Sequence, residues 1–219
     1  MIPTIFCVRI GDKYGVEHED YIESKLVGYP IQWIREPFSE GIHYQWNKLL
    51  PMSYKSEKPV CVIDIDILLE NDYFKLFEFP IKRGEFLSIP SWWGDAPGYK
   101  INGGFFKYYP IDCNYIYDKF MADPEKWKMH YIKNGTTIGP VNGEQYFVED
   151  SIKEKLKLKL IPPAWVTRWR INDDADWQYK LTNKYKKITG NNYIKMGDWH
   201  PDIKLIHYTH STNKPIRKL

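Results

Sequence analysis

Two aspartates, Asp64 and Asp66, directly follow an apolar segment in this 219-residue chain. The segment reads Val-Cys-Val-Ile over positions 60–63, a composition typical of a buried strand. Neighbouring carboxylates near a core repel each other and lose hydration, so each raises the pKa of the other unless a cation compensates. Mg²⁺ and Mn²⁺ bind carboxylate oxygens and keep positions open for phosphate oxygens. The pair predicts a site for a metal–diphosphate complex; the alternative is a strand that runs into an acidic turn.

The composition indicates a globular protein of one α/β domain. Lys and Arg total 31 against 28 Asp and Glu, a net charge of +3, which is too balanced for a protein defined by nucleic-acid binding. Aromatic residues make up 16% of the chain, so we expect some rings to line a groove and stack on sugars or bases. The alternative is that Tyr and Trp replace Phe and Leu in the core.

The cysteines and the chain terminus bear on compartment. Cys7, Cys61 and Cys113 are odd in number and widely spaced, so no disulfide framework or zinc spacing follows. The N-terminus has no basic region before an apolar one, and no run of 18 apolar residues occurs. We therefore expect a cytoplasmic protein without a transmembrane segment.

Strands and helices alternate before the two aspartates and continue after them. Apolar periodicity and turn residues predict strands and helices at the following positions. The predicted strands are Thr4 to Ile10, Ile31 to Ile34, the Asp-x-Asp strand, Glu85 to Ile89, Gly103 to Tyr108 and Lys153 to Leu160. The predicted helices are Glu19 to Val27, Tyr44 to Leu50, Asn71 to Phe77, Asp112 to Met121 and Gly143 to Ser151. This order predicts an α/β fold with a mostly parallel central sheet flanked by helices, in which ligands bind beyond the carboxyl ends of the strands.

Four motifs stand in a definite order around the acidic pair. Lys48 lies 16 residues before Asp64, Asn102-Gly103-Gly104-Phe105-Phe106 follows the pair, Gly143-Glu144-Gln145 opens a helix, and His207-Tyr208 ends an apolar strand shortly before Lys214-Pro215. Together they resemble the glycosyltransferases of the GT-A fold, particularly the glycogenin and lipopolysaccharide galactosyltransferase family. The segment 8–17, Val-Arg-Ile-Gly-Asp-Lys-Tyr-Gly-Val-Glu, is similar to the start of a bacterial and viral branch of such enzymes.

The resemblance implies one Rossmann-like GT-A domain over residues 1–219. Residues 1–110 would form the nucleotide-sugar-binding half, which carries the Asp-x-Asp motif. Residues 111–219 would form the acceptor half and the C-terminal metal and phosphate motif. The chain is either complete or the catalytic module of a longer, multidomain protein.

The same resemblance implies a metal centre. Asp64, Asp66 and His207 would bind Mn²⁺ or Mg²⁺, and imidazole suits Mn²⁺ better than Mg²⁺. Lys214 would meet the diphosphate, and Lys48 would contact the donor. Without the acidic pair, His207 would be interpreted as a core histidine and the lysines as solvated charges.

The donor would be a nucleotide sugar, with UDP expected as the nucleotide. Tyr14 would stack on the base, or else be a core or loop residue, and Arg9 and Asp12 would make polar contacts. Ile65, between the two aspartates, also falls in the donor site. Asn102 and Gly103 would touch the sugar, where glycine permits close approach, although the two glycines could instead mark a bulge.

Glu144 and Gln145 match an Asp-Gln pair at the anomeric carbon of the donor, but this chain has Glu where the family has Asp. Glu144 would either orient a donor hydroxyl in a retaining reaction or take the acceptor proton in an inverting one. Asp95 is a second candidate base. Trp92 and Trp93 would form the acceptor site or act as loop anchors.

The resulting hypothesis is a metal-dependent transfer of a hexose-type sugar from a UDP-sugar to an acceptor hydroxyl, with a glycan as the expected acceptor and no nucleic-acid partner. One alternative is a phosphatase of the haloacid dehalogenase superfamily, whose first motif is also Asp-x-Asp. Its downstream acidic residues would be Asp173, Asp174 and Asp176. The other alternative is an inactive carbohydrate-binding protein on a GT-A fold.

Overall fold

The computed structural model describes residues 2–91, 98–137, 143–162, 165–169 and 202–208. In this part of the chain the strands form a six-stranded sheet in the order β2-β1-β3-β6-β5-β7 and a three-stranded sheet in the order β4-β9-β8. The strands of the larger sheet are β1 Thr4–Val8, β2 Ile31–Ile34, β3 Val60–Ile63, β5 Glu85–Pro90, β6 Ile101–Tyr108 and β7 Lys157–Leu160. Those of the smaller sheet are β4 Ile67–Leu69, β8 Val166–Trp169 and β9 Leu205–Tyr208.

The larger sheet is mixed but mostly parallel, as the sequence predicts. β1 pairs in parallel with both β2 and β3, and β5 pairs in parallel with β7. β6 is the exception, because it runs antiparallel to both of its neighbours, β3 and β5.

Helices cover the sheet. They are α1 Val16–Lys25, α2 Phe74–Glu78, α3 Pro110–Ala122, α4 Pro124–Lys133, α5 Glu144–Lys155 and a 3₁₀ helix over Tyr44–Ser53. Among the described residues, no helix is long and apolar enough to cross a bilayer.

Strand β3 shows how the sheet divides the core. All four of its residues are buried, and successive side chains alternate between two hydrophobic clusters. Cys61 and Ile63 pack with α1 and α2, whereas Val60 and Val62 pack with the 3₁₀ helix, α3 and α5. A strand buried on both faces needs a continuous apolar sequence, which explains why the segment before the aspartates is uninterrupted.

The two aspartates lie where ligands bind in doubly wound sheets. From β1 the chain moves outward to β2 and then returns to β3 on the other side of β1, so the strand order reverses there. Such a reversal leaves a crevice beyond the carboxyl ends of the two strands. The loop after β1 and the Asp-x-Asp segment after β3 both border this crevice.

Some predicted boundaries are wrong. The segment Lys153 to Leu160 is not one strand, because α5 continues to Lys155 and β7 begins at Lys157. The first helix begins at Val16 rather than Glu19, and α4 was not predicted. Pro124 explains the missed helix: proline is a helix breaker in an interior but suits the first helical turn, where it stands here after the N-cap Asp123.

Candidate metal and nucleotide site

Asp64, Asp66 and His207 form one cluster. His207 Nε2 lies 3.3 Å from Asp64 Oδ2 and 3.4 Å from Asp66 Oδ1. One ligand atom from each of the three residues lies within 4.8 Å of the others. The cluster is enclosed, since His207 is buried and the aspartates are half-buried.

Local structure explains why the cluster forms. Asp64 directly follows β3 and Asp66 directly precedes β4, while Ile65 between them packs into the core. The backbone N–H of Asp64 donates to the carbonyl of Gly104 at 3.1 Å, which extends the pairing of β3 with β6 to the first aspartate. β4 begins just after Asp66, and its antiparallel pairing with β9 sets His207 opposite Ile67.

These three residues fit a divalent cation. Ligand atoms at about 2.0–2.3 Å from one ion must lie within roughly 4–5 Å of each other, as they do here. Two carboxylates and one imidazole form a donor set suited to Mn²⁺ or Mg²⁺ with positions left for phosphate.

The charges of the cluster depend on each other. Burial disfavours the imidazolium of His207, but hydrogen bonds to Asp64 and Asp66 outweigh it and raise the pKa of His207 to about 9. Burial likewise disfavours the ionised form of Asp66, yet the bond with His207 and a 2.9 Å hydrogen bond from Tyr14 Oη hold its pKa below the usual range. The two carboxylates thus favour a positive charge at this position of the cluster.

Lys48 links the metal cluster to the helix that carries Glu144. Its side chain is 3% exposed, and its Nζ lies 2.5 Å from Asp64 Oδ1 and 3.2 Å from Glu144 Oε1. Burial lowers the pKa of Lys48, but the two carboxylates more than offset it, so the pKa is raised and the lysine stays charged. Lys48 is thus a fixed positive charge beside the metal cluster.

The two glycines of β6 form a bulge. β5 residues Ser88 and Ile89 are paired with Phe106 and Asn102, so residues 103–105 have no opposite residue on β5. The carbonyl of Gly103 accepts from Lys48 Nζ at 3.0 Å, and the backbone N–H of Gly103 donates to Gln145 Oε1 at 3.0 Å. A Cβ at position 103 would lie 2.4 Å from Glu144 Oε1, which explains why glycine stands there.

Asn102, Glu144 and Gln145 lie beside this bulge. Asn102 Oδ1 accepts from the N–H of Gly104 at 2.9 Å, while the Asn102 side-chain amide lies 3.5 Å from Gln145 Oε1. Glu144 is 4% exposed and paired with Lys48. The structure therefore brings five sequence-predicted residues together: Lys48, Asn102, Gly103, Glu144 and Gln145.

A cavity of about 330 Å³ opens beside the cluster. It lies at the strand-order reversal, between the loop after β1, the 3₁₀ helix and the Asp-x-Asp segment. Its walls include Val8, Ile10, Lys13, Tyr14, Tyr44, Gln45, Lys48, Asp64, Ile65 and Asp66.

The three residues predicted near the nucleotide base lie in three different environments. Tyr14 is on the cavity wall, and its hydroxyl donates to Asp66. Arg9 instead braces the loop, donating to the carbonyl of Tyr14 at 3.0 Å and pairing with Glu19 at 3.0 Å. Asp12 is exposed on the same loop.

Sequence reasoning missed Tyr44 and Gln45, two further wall residues. They precede Lys48 by four and three residues on the same helix. Residues three apart share a face in a 3₁₀ helix, so the position of Lys48 was the signal that pointed to Gln45. Several sequence candidates lie outside the described residues: Trp92, Trp93, Asp95, Asp173, Asp174, Asp176 and Lys214.

Comparisons with known proteins identify the fold. No protein-family model and no curated protein matches the chain. Among solved structures, the glycosyltransferase GlyE of Streptococcus pneumoniae TIGR4 matches 99% of this chain at TM-score 0.57 and 13% identity, and the match spans 57% of GlyE. An active-site mutant of LgtC matches at TM-score 0.51 and 10% identity, over 95% of this chain and 88% of LgtC. Mouse xyloside xylosyltransferase 1 matches at TM-score 0.50 and 8% identity, over 97% of this chain and 99% of that protein. The chain has the fold of the GT-A glycosyltransferases.

Proposed function

We propose that this protein is a metal-dependent glycosyltransferase that moves a hexose-type sugar from a UDP-sugar to an acceptor hydroxyl. The observation that carries the proposal is the Asp64–Asp66–His207 cluster, whose two aspartates line, together with Lys48, a cavity at the strand-order reversal of a GT-A fold. The cytoplasmic location expected from the sequence is part of this proposal.

The charge balance of the site supports a metal–diphosphate ligand. Within the described residues, Asp64, Asp66 and Glu144 bring three carboxylates to the site, and Lys48 pairs with Asp64 and Glu144. A bound Mn²⁺ or Mg²⁺ would neutralise the carboxylates and stabilise the negative charge that develops on the departing diphosphate. Asp64, Asp66 and His207 would hold that ion, and Lys48 keeps Asp64 oriented beside it.

The bulge in β6 supports the proposal of a binding site for the donor sugar. We propose that Asn102 and Gly103 contact the donor sugar, since the bulge lies against Lys48 and Glu144 beside the metal cluster. Gln145 holds the backbone of the bulge by accepting from the N–H of Gly103. We propose that Gln145 fixes the bulge and also faces the anomeric carbon.

The environment of Glu144 favours a retaining reaction. A general base needs an accessible carboxylate within reach of the acceptor proton, whereas Glu144 is covered and its Oε1 pairs with buried Lys48. We propose that Glu144 orients Lys48 and a donor hydroxyl. Asp95 remains the candidate base if the reaction inverts, and Lys214 is the proposed partner of the diphosphate.

The acceptor is proposed to be a glycan or another hydroxyl compound that contacts Trp92 and Trp93. The 57% coverage of GlyE leaves room for a longer protein, in which further domains would contribute to the choice of acceptor.

A transfer assay tests the proposal. The protein is incubated with UDP-glucose, UDP-galactose or UDP-xylose, Mn²⁺ and simple sugar acceptors, and the product anomer is identified by NMR. We expect UDP release that requires Mn²⁺ and a product with the donor's configuration. For Glu144→Gln we expect the rate of sugar transfer to fall, but by less than the roughly 10²–10⁴-fold that removal of a general base typically causes. An inverted product together with an inactive Glu144→Gln or Asp95→Asn variant would contradict retention and identify the base.

Metal-dependent release of inorganic phosphate from phosphomonoesters, abolished by Asp64→Asn, would instead favour the phosphatase.

A further inference from the structure

Each of the two aspartates of the metal cluster is held by a donor from another part of the chain. Asp64 Oδ1 pairs with Lys48 Nζ at 2.5 Å, and Asp64 Oδ2 lies 3.3 Å from His207 Nε2. Asp66 repeats this arrangement, because its Oδ2 accepts from Tyr14 Oη at 2.9 Å and its Oδ1 lies 3.4 Å from His207 Nε2. In both carboxylates, one oxygen is thus bonded to an outer donor and the other faces the imidazole.

The hydrogen bond from Tyr14 fixes the plane of the Asp66 carboxylate. The last torsion of an aspartate is broad, so a carboxylate whose outer oxygen has no partner takes several orientations. Burial and then the charge of Asp66 raise the pKa of Tyr14 well above its usual range, so the hydroxyl keeps its proton and donates it to this bond. Tyr14 therefore restricts the directions in which Asp66 presents its oxygens.

The position of the Tyr14 side chain is set by contacts of its own. The backbone carbonyl of Tyr14 accepts from Arg9 Nε at 3.0 Å. The Tyr14 ring lies edge-on to His18, with 5.1 Å between the ring centroids, and Lys13 Nζ lies 4.8 Å from the centroid of the Tyr14 ring. These contacts, all within the protein, direct the hydroxyl toward Asp66.

We propose that Tyr14 is a positioning residue of the metal centre, whose hydroxyl holds Asp66 in the orientation that binds the cation. Tyr14 would do for Asp66 what Lys48 does for Asp64. The role expected from the sequence, stacking of the Tyr14 ring on the base, would not need the hydroxyl. Removal of a hydrogen bond that orients a metal ligand typically lowers metal affinity about 10–100-fold. The inference rests on the proposed function, because it names a residue on which the proposed metal centre depends.

Binding of Mn²⁺ in the absence of nucleotide tests this role. Free Mn²⁺ is followed by electron paramagnetic resonance during titration of the wild type and of Tyr14→Phe, which keeps the ring and removes only the hydroxyl. Because no base is present, stacking cannot contribute to the result. We expect the dissociation constant for Mn²⁺ to rise at least about tenfold in Tyr14→Phe. Circular dichroism of the same samples checks that they are folded.

Tyr99→Phe is the matched control. Tyr99 Oη also donates to an aspartate at 2.9 Å, but the acceptor is Asp150 on α5, outside the metal cluster. Both tyrosines are half-buried, so the two variants lose the same kind of bond at similar exposure. We expect Tyr99→Phe to bind Mn²⁺ as the wild type does. An equal loss of Mn²⁺ affinity in the two variants would indicate a general effect of lost stability and would overturn the role of Tyr14.

The dependence of sugar transfer on Mn²⁺ gives a second measurement. A residue that acts through a metal ligand should raise the Mn²⁺ concentration needed for half-maximal transfer, so excess Mn²⁺ should restore rate that Tyr14→Phe loses at low Mn²⁺. A loss of rate that excess Mn²⁺ does not reduce would mean that the hydroxyl acts on the substrate, which would overturn the positioning role.

The outcomes separate this inference from the proposed function. Wild-type protein that binds Mn²⁺, with unchanged affinity in Tyr14→Phe, would overturn the role of Tyr14 and leave the metal centre intact. Wild-type protein that binds no Mn²⁺ would overturn both proposals. Weaker Mn²⁺ binding in Tyr14→Phe, without turnover of any UDP-sugar by the wild type, would support the role of Tyr14 and contradict the proposed transfer.

Discussion

At the scale of single residues, the proposed metal centre depends on a third ligand, His207, opposite the two aspartates. Replacing His207 with Ala removes one of three protein ligands, and we expect Mn²⁺ affinity to fall at least about tenfold. The measurement is Mn²⁺ binding followed by electron paramagnetic resonance of the free ion. His130→Ala is the matched control, since His130 is exposed on α4. Unchanged Mn²⁺ affinity in His207→Ala would exclude His207 from the shell.

Gly103 offers a second test at this scale. A methyl group at position 103 would lie 2.4 Å from Glu144 Oε1, so Gly103→Ala must displace Glu144 from Lys48 or shift the bulge. We expect a lower melting temperature and a loss of sugar transfer of at least about tenfold, since small misplacements at a reacting site are costly.

Shortening the opposing side chain should relieve the clash. Glu144→Asp withdraws the carboxylate by one methylene, so the double variant Gly103→Ala with Glu144→Asp should melt at a higher temperature than Gly103→Ala alone. If the second substitution only adds to the loss of stability, the contact between these two residues does not explain the glycine.

The extent to which the sequence predicted the site also differs from residue to residue. Asp64, Asp66 and Lys48 were found because a charged group beside an apolar strand, or at a fixed spacing from one, is a local signal. Tyr44 and Gln45 were missed because their helix mixes buried and exposed residues, and the three-residue spacing between Gln45 and Lys48 was the one local signal for the cavity side. The covered amide oxygen of Gln45 and the left-handed backbone of Tyr44 become visible only in three dimensions.

At the scale of secondary-structure elements, α1 positions the loop that borders the cavity. Glu19 is 6% exposed and accepts from both Arg9 and Arg35, while Arg9 also donates to the carbonyl of Tyr14. Hydrogen bonds from Arg35 and then Arg9 outweigh burial and hold the pKa of Glu19 below its usual range. This carboxylate therefore connects α1 with the ends of β1 and β2.

A pH-dependent contribution to stability follows from that shift. Because the folded-state pKa is depressed, the contribution is present above the unfolded-state pKa near 4.3 and is lost as the pH falls through the folded value. We expect Glu19→Gln to lower the free energy of unfolding by about 1–2 kcal/mol at pH 7, with a smaller difference from wild type at pH 3. Urea unfolding at both pH values measures this, with exposed Asp20→Asn as control. An equal difference at the two pH values would show that Glu19 does not act through its charge.

Element boundaries were less predictable than element types. The alternation of lysine and leucine over residues 155–160 fits a strand, yet the packing of Ser151 and Ile152 continues α5 to Lys155 before β7 starts. In strand β9 the local sequence signal is weak although the strand forms. Its four residues are held by the pairing with β4, and this pairing explains how His207 reaches Asp66.

At the scale of the whole molecule, the fold gathers distant segments at one crevice. Cavity and metal residues come from the loop after β1, the 3₁₀ helix, the Asp-x-Asp segment and β9, which span positions 8 to 207. The sequence predicted the fold class because the buried β3 and the alternation of elements are regular features. The antiparallel placement of β6 was not predictable from its sequence, since strand direction depends on pairing rather than on composition.

The central claim is that the carboxylates and His207 hold a cation that in turn holds a diphosphate. Titration of UDP into the protein, with Mn²⁺ or with excess chelator, tests this most directly, and thermal unfolding of the same samples reports the linked stability. We predict that UDP binds only with Mn²⁺, that at 100 times its dissociation constant it adds about 2.7 kcal/mol to the free energy of unfolding, and that Asp66→Asn loses the effect. Equal binding of UDP with excess chelator would contradict the account.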